Sequence, residues 1–203
     1  VHFKGISFLN QKIRNFYPVM IDQKNNFLSA YFHSTSGGSL TGPEVFWKNH
    51  KSYKNFRRGQ DKLYFWSEHL SSKSPHYQWE TFVHSSDISS VLKTNGVRNF
   101  GAEYKQGRVF YLTYEDSNKN KKRISISKFM SETGRKLGWN KIKSNDFRIT
   151  ETSNGWFFKG KGLGHGVGMC QWGSKEMALK GYSYKDILNF YYNNPKIVEG
   201  IYK

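Results

Sequence analysis

Gly160-Lys161-Gly162-Leu163-Gly164-His165-Gly166-Val167-Gly168-Met169 places a glycine at every second position from 160 to 168. Side chains of an extended backbone alternate between faces, so the spacing predicts a segment with one face bare of side chains. Such a face serves an object that must touch the backbone: a flat ligand, a sugar ring, or another strand packed very closely. The stretch is not a phosphate loop, because no Gly-Lys-Ser/Thr end follows, and the dinucleotide fingerprint does not fit the alternation. His165 projects from the substituted face or near its edge, where a structural and a site role both stay open.

The next residues, Met169-Cys170-Gln171-Trp172-Gly173, read as a helix start. The helix is expected from about Met169 to Lys180, with Gly181 in the left-handed cap position. Its first N–H groups lack intrahelical partners and point back at the glycine run, a ready site for polar or anionic groups. Gln171 there can donate and accept hydrogen bonds to sugar hydroxyls or N-acetyl groups. Cys170 has no convincing basic neighbour except His165, so it reads as a small buried residue and not a nucleophile.

A second constellation lies upstream in Ala30-Tyr31-Phe32-His33-Ser34-Thr35-Ser36-Gly37-Gly38-Ser39. A strand over residues 27–34 is expected to deliver His33 and three hydroxyls to a Gly-Gly turn within the loop 35–43. The adjacency of Ser and His invites a hydrolase reading. No aspartate sits near to orient the imidazole, however, and no nucleophile elbow surrounds the serine. Hydrogen-bond donors for a carbohydrate fit better.

Composition narrows the partner. The chain of 203 residues carries a net charge of +17, with +7 in residues 1–100 and +10 in residues 101–203, so the charge is no tail. A polyanion is the expected partner: nucleic acid, an anionic membrane or an anionic wall polymer. Two denser patches are Lys48, Lys51, Lys54, Arg57, Arg58 and Lys62, then Lys119, Lys121, Lys122, Arg123 and Lys128. No helix-turn-helix, zinc finger or RNP-type motif accompanies the charge, which sets nucleic acid aside. Sixteen Phe, thirteen Tyr and six Trp can build a core despite few aliphatic residues, and surplus Tyr and Trp suit a surface that stacks on sugar rings. One cysteine excludes an intramolecular disulfide and a cysteine zinc cluster. No apolar run approaches the ~20 residues of a spanning helix. The opening Val1-His2-Phe3-Lys4-Gly5 has no signal peptide or initiator Met, as expected of a truncated or processed piece.

The rest of the chain predicts an α+β fold, mostly antiparallel strands and hairpins with several short helices. Tyr77–Val83 alternates as a strand, and Ser86 caps a short helix from Asp87 to Lys93 closed by Gly96. Val109–Tyr114 and Arg123–Ser127 form a hairpin around Ser117–Asn120. Ser127 precedes a second helix ending near Gly138. Phe147–Thr152 and Trp156–Lys159 flank the hairpin dipeptide Asn154-Gly155. Ser183 caps a helix from Tyr184 to Tyr192, with Ile187, Leu188 and Tyr191 on one face. Asn194-Pro195 stops it, and Lys196–Tyr202 closes the chain as a strand. The length fits one domain over 1–203, with a possible subdomain at about 84–146.

Read as GKGLGHGVGMCQWG, residues 160–173 resemble the signature of the stage II sporulation protein D and amidase-enhancer family. SKEMALKGYSYKDILNFYY resembles that family's end and YFHSTSGGSLTGPEVFW its upstream motif. SPHYQWE and KIKSNDFRI fall where similar segments lie between them, so the resemblance covers nearly the entire chain from about Val1. It implies action on peptidoglycan as a lytic transglycosylase, which cleaves the MurNAc–GlcNAc linkage of peptide-stripped glycan and leaves a 1,6-anhydro product. A single glutamic acid protonates the leaving oxygen while the sugar's own 6-hydroxyl attacks, so one carboxyl suffices where ordinary glycosidases need two. The family's glutamate lies in an alanine-rich helix upstream of the segment matching Val1, and no such run exists here. The resemblance therefore puts the acid outside these residues and leaves this part inactive alone, with Glu44 as a weak substitute. It implies a glycan-binding role for His33, Ser34, Ser36, Gly37, Gly38, Gly164, His165, Gly166 and Gln171. Some members hold zinc with cysteines around the His-Ser motif. Ser36 stands at such a place here, so no metal and no cofactor is expected. The alternative the family offers is a non-catalytic, wall-binding enhancer of an amidase. Either role implies export to the cell envelope, periplasmic or extracellular, with glycan strands, anionic wall polymer or a wall amidase as partners.

Overall fold

A computed structural model of the protein describes residues 17–22, 24–47, 53–65 and 67–200. Val1–Gly5, with Lys48 and Lys51 of the first basic patch, lie outside the described residues. In chain order the strands and helices are β1 (Tyr17–Ile21), β2 (Phe32–His33), β3 (Ser39–Leu40), β4 (Gly59–Gln60), β5 (Gln78–His84), α1 (Ser85–Leu92), β6 (Arg98–Lys105), β7 (Arg108–Glu115), β8 (Lys121–Ser125) and α2 (Ile126–Leu137). There follow β9 (Phe147–Thr152), β10 (Gly155–Lys161), β11 (Met169–Cys170), α3 (Gln171–Leu179), α4 (Tyr184–Tyr192) and β12 (Lys196–Gly200). The class is α+β, and among the described residues every strand pair but β2–β11 is antiparallel.

Period-two patterning builds the three-stranded sheet β5-β10-β9. Along β10, Trp156, Phe158 and Gly160 point inward while Phe157, Lys159 and Lys161 point out. The inner face packs on α1, α2 and the second sheet, β6-β7-β8, around Val83, Ile88, Val91, Leu112, Phe129, Phe147 and Phe158. Phe129, Phe147 and Phe158 are fully buried, which contributes about 1.5–3 kcal/mol apiece. Residues 84–146 thus share one core with β5, β9 and β10. A second core joins segments far apart along the chain: Met20, Leu40, Phe56 and Leu70 meet Val167, Met177, Ile187, Tyr191 and Tyr192. Strands β1 and β12 pair alongside it. No helix among the described residues is long and apolar enough to cross a membrane.

Several boundaries differ from the sequence expectation. The strand over 27–34 shrinks to Phe32–His33, which pairs with Met169–Cys170, while Phe27 makes only an isolated bridge to Ile21. α1 starts at Ser85 and closes on Lys93, at φ 56, so neither Ser86 nor Gly96 caps it. Ser125, not Ser127, caps α2, its hydroxyl accepting the Lys128 N–H. The β9–β10 hairpin forms, but its turn is Ser153-Asn154, since Gly155 already pairs with Thr152 and His84. A Cβ on Gly155 would sit 2.3 Å from the Val83 carbonyl, so glycine is required there for strand approach. β6, interrupted by two register shifts, had no sequence prediction. α4 has the expected Ser183 cap, completed by Asp186 into a reciprocal capping box. Of the expected closing strand, Lys196–Gly200 is formed, and residues 201–203 lie outside the described residues.

Candidate functional site

The glycine run is not a bare extended face. After Lys161 the backbone leaves β10, and Gly162, Gly164, Gly166 and Gly168 take φ between +70° and +110°. Period two here records a repeating left-handed conformation and close approach, not strand alternation. A Cβ on Gly166 would meet the Arg108 guanidinium at 2.5 Å, and one on Gly168 would meet the Tyr31 carbonyl at 2.0 Å. Of the three objects that such a face allows, the one present is neighbouring protein. The bare extended face expected from the sequence is therefore absent.

That neighbour is the second motif. Thr35 and Leu163 exchange both backbone hydrogen bonds at 3.1 and 2.8 Å, β2 pairs with β11, and Thr41 bridges Val167. His33 is buried and donates from Nδ1 to the Val167 carbonyl at 3.1 Å, which leaves Nε2 as a lone-pair acceptor without a partner among the described residues. His165 accepts the Val167 N–H on Nδ1 at 3.0 Å. Its ring lies 5.6 Å from that of His33 and packs against Trp47 at 4.8 Å and Phe46 at 5.7 Å. Burial, the neighbouring His165 and Arg108 hold His33 well below the usual histidine range. Burial and Arg108 likewise lower His165 to about 4. Both rings are neutral at neutral pH, so they serve as packing and hydrogen-bonding groups.

Two residues missed by the sequence analysis shape the Ser36–Ser39 turn. Arg108, fully buried at the start of β7, donates from one nitrogen to the carbonyls of Ser36 and Ser39, each at 2.7 Å. Its other terminal nitrogen donates to Asn145 Oδ1 at 2.9 Å, and the Asp146 carboxylate stands 4.0 Å away. Asp61 is the aspartate that the local sequence did not show. It is buried, accepts the Ser36 hydroxyl at 2.5 Å and the Tyr191 hydroxyl at 3.1 Å, and its N–H donates to the Gly38 carbonyl. Burial raises its carboxyl, against the hydrogen bonds from Ser36 and Tyr191. Asp61 engages Ser36 while His33 hydrogen-bonds Val167, so no Ser-His-Asp relay forms. Cys170 is buried as expected and accepts the N–H groups of Ser36 and Gly173, each at 3.3 Å. Burial and the nearby Asp61 push its thiol up to about 12, which keeps it an inert thiol.

Above this scaffold opens a groove of about 870 Å³. Gly37, Gly38 and Ser39 form one wall, with Tyr77 and His69 beside them. The outer face of the sheet supplies Gln78, Glu80, Arg148, Lys159 and Lys161. Gly38 lies against Tyr77, whose hydroxyl would be 2.9 Å from an added Cβ. Of the expected site residues, only Gly37 and Gly38 line the groove. Ser36 lies buried beneath the turn, and Ser34 is half-buried with its carbonyl accepting the Trp172 N–H at 3.1 Å. His33, Gly164, His165 and Gly166 belong to the packed seam, and Gln171 is exposed at the first residue of α3. Glu44 lies outside the groove, its carboxylate held by Arg58 at 2.7 Å and by Gln106 at 2.8 Å. The polar alternation of β5 and β10 marks these residues as strand, with nothing local to mark the groove they line. Among the described residues no three His, Cys, Asp or Glu side chains converge as metal ligands.

Three comparisons place the chain among known proteins. It is 29% identical to the amidase enhancer of Bacillus subtilis over 165 residues, 81% of this chain and 23% of that protein. It is 28% identical to stage II sporulation protein D of the same organism over 189 residues, 89% of this chain and 48% of that one. A stretch of 58 residues is 52% identical to an uncharacterized protein of Brachyspira hyodysenteriae, covering 29% of this chain and 16% of that protein. The chain thus spans about half, or less, of the length of each of these curated relatives. No protein-family model matches it.

Proposed function

We propose, from the chain's membership of the stage II sporulation protein D and amidase-enhancer family, that it binds peptidoglycan glycan strands in the groove between the Gly37-Gly38 turn and the outer face of β5-β10-β9. The observation that carries this reading is convergence. The two motifs that bear the family resemblance zip together through Thr35 and Leu163, and their outer ends, Gly37-Gly38 and Gly160-Lys161, come out in one groove. Gly37 offers its backbone to sugar hydroxyls, Gly38 is held beside it by Ser36 and Asp61, and Tyr77 and His69 give ring surface next to the turn. His33, Ser34, Ser36, Gly164, His165 and Gly166 act through the turn they hold, and Gln171 offers its exposed amide at the start of α3.

In the intact protein the reaction is lytic transglycosylation. A carboxylic acid protonates the glycosidic oxygen, the C1–O bond breaks, and the 6-hydroxyl of the same sugar attacks C1 and surrenders its proton to that carboxylate. The acid is a glutamate outside the described groove. Glu80 and Asp146 also lie in the groove: Glu80 stands opposite Lys159 in the strand register, and Asp146 faces Arg108 and accepts from Ser39 at 3.5 Å. The setting is the cell envelope, where a charge of +17 favours anionic wall polymer.

The full-length protein should release anhydro-muramic products from peptide-stripped peptidoglycan, detected by mass spectrometry. Glu80→Gln and Asp146→Asn should keep that activity, and its loss in either would move the acid into this groove. The 29% identity to an amidase enhancer favours one second reading, a non-catalytic stimulator of a wall amidase. Tight wall binding without anhydro products, together with faster cleavage by an added amidase, would select it.

A further inference from the structure

The groove is only part of a larger surface. Directly opposed residues of an antiparallel sheet share a face, so the register defines three rows across the outer side of β5-β10-β9. The first row is Gln78 and Lys161, the second Glu80, Lys159 and Arg148, and the third Phe82, Phe157 and Thr150. Successive rows lie about 7 Å apart, two residues along the strand. The first two rows line the groove and the third does not, so the floor continues past it without a change of element. Phe157 keeps 37% of its surface exposed, although its neighbours Trp156 and Phe158 are buried. Among the described residues neither Lys159 nor Lys161 has an ion-pair partner within 4 Å, and Arg148 lies over the Tyr104 ring at 4.3 Å.

We propose that this outer sheet face is an extended platform for a carboxylate-bearing glycan, in which Lys159, Lys161 and Arg148 take the acid groups and Phe157 with Phe82 stacks a sugar ring beyond the groove. The proposal rests on the glycan reading of the groove and adds where the strand runs beyond it and which side chains hold its acid groups and rings. A cation row beside an aromatic row demands a ligand with acid groups and flat apolar ring faces a few ångströms apart. A saccharide with carboxylates has both. A polyol-phosphate chain has charge but no ring face for Phe157 to cover, which sets such a polymer aside. Glu80, inside the cation row, repels a continuous line of negative charge and so favours acid groups that are spaced out along the ligand.

The test uses the full-length protein with three soluble probes: peptide-free wall glycan oligosaccharides with free carboxylates, uncharged N-acetylglucosamine oligomers of equal length, and a teichoic-acid fragment. Lys159→Ala/Lys161→Ala should weaken carboxylate-glycan binding about tenfold and leave the uncharged oligomer unchanged. Phe157→Ser should weaken long oligomers of both kinds about fivefold and disaccharides not at all. All three positions are exposed on the sheet's outer face, and thermal melts of each variant check that folding is intact. Equal losses on charged and uncharged oligomers would overturn the cation role. Indifference to Phe157→Ser at every length would overturn the extension. Tighter binding of the teichoic-acid fragment than of the glycan would overturn the choice of ligand. In each of those results glycan binding itself survives, whereas a wild-type protein that binds no saccharide removes the groove reading and this one together.

Discussion

The core between the two sheets and the seam where Tyr31–Thr41 meets Leu163–Cys170 both bury side chains, yet they hold together differently. Between the sheets the buried side chains are nearly all apolar, and burial of Leu112, Phe129 and Phe158 does the stabilising. The seam buries His33, Thr35, Ser36, Thr41, Asp61 and Arg108, each tied by hydrogen bonds to residues far along the chain. An apolar core tolerates imperfect packing, whereas a buried polar network costs heavily once a single member is lost. The difference teaches where precision is needed: the seam sets the shape of the Gly37-Gly38 turn, and the sheet core provides a stiff floor beneath the groove.

Arg108→Met is the largest blow to that comparison. It leaves the carbonyls of Ser36 and Ser39 and the Asn145 amide oxygen buried without their donor, and should cost about 3–5 kcal/mol by urea unfolding. Glycan binding should fall with it. Leu112→Ala should cost about 2–4 kcal/mol but leave the affinity of the folded protein unchanged. An Arg108→Met protein of wild-type stability would erase the contrast.

Glycine substitutions sharpen it next. Gly168→Ala places a methyl 2.0 Å from the Tyr31 carbonyl at φ +70°, and should cost about 3 kcal/mol or more. Gly107→Ala, at φ +77° with open space around it, should cost only about 1 kcal/mol. Equal melting temperatures for the two would mean the seam is loosely packed.

Acid should loosen the seam before the sheet core. His33 and His165 stay neutral in the fold below pH 6.5, where the unfolded chain takes up protons on both. Their stabilising contribution is complete above pH 6.5 and is lost as pH falls toward 4, on the order of 3 kcal/mol for His165 alone. Asp61 acts in the opposite sense, because its raised carboxyl holds a proton in the fold that the unfolded chain has released. Asp61→Asn should therefore steepen the acid loss, measured as the slope of urea midpoints between pH 7 and pH 4.5.

The smallest effect belongs to neither region. Asp186→Ala removes half of the capping box of α4 and should cost about 0.5–1 kcal/mol, with no change at the groove.

These contrasts explain what the sequence made legible. The β9–β10 hairpin, α2 and α4 follow from signals contained within a few residues, although the turn falls one residue early, at Ser153-Asn154, and the cap of α2 two residues early, at Ser125. The seam has no such local signal. Arg108 reaches a carbonyl 72 residues away and Ser36 meets an aspartate 25 residues on. Nothing near either one marks the contact. The glycine run misled because a left-handed repeat and a bare strand share the same period of two. The motifs resembling the family did mark the segments that meet, while Tyr77, Lys159 and Arg148 at the groove were visible only as ordinary strand residues.

Hydrogen–deuterium exchange of the full-length protein, with and without peptide-free glycan oligosaccharides, tests the central claim most directly. The amides of Gly37, Gly38 and Ser39 and those of residues 159–161 should gain protection together on binding, while the hairpin at 115–121 exchanges as before. Protection confined to that hairpin, or to the buried seam with the turn unchanged, would contradict a glycan site in the groove.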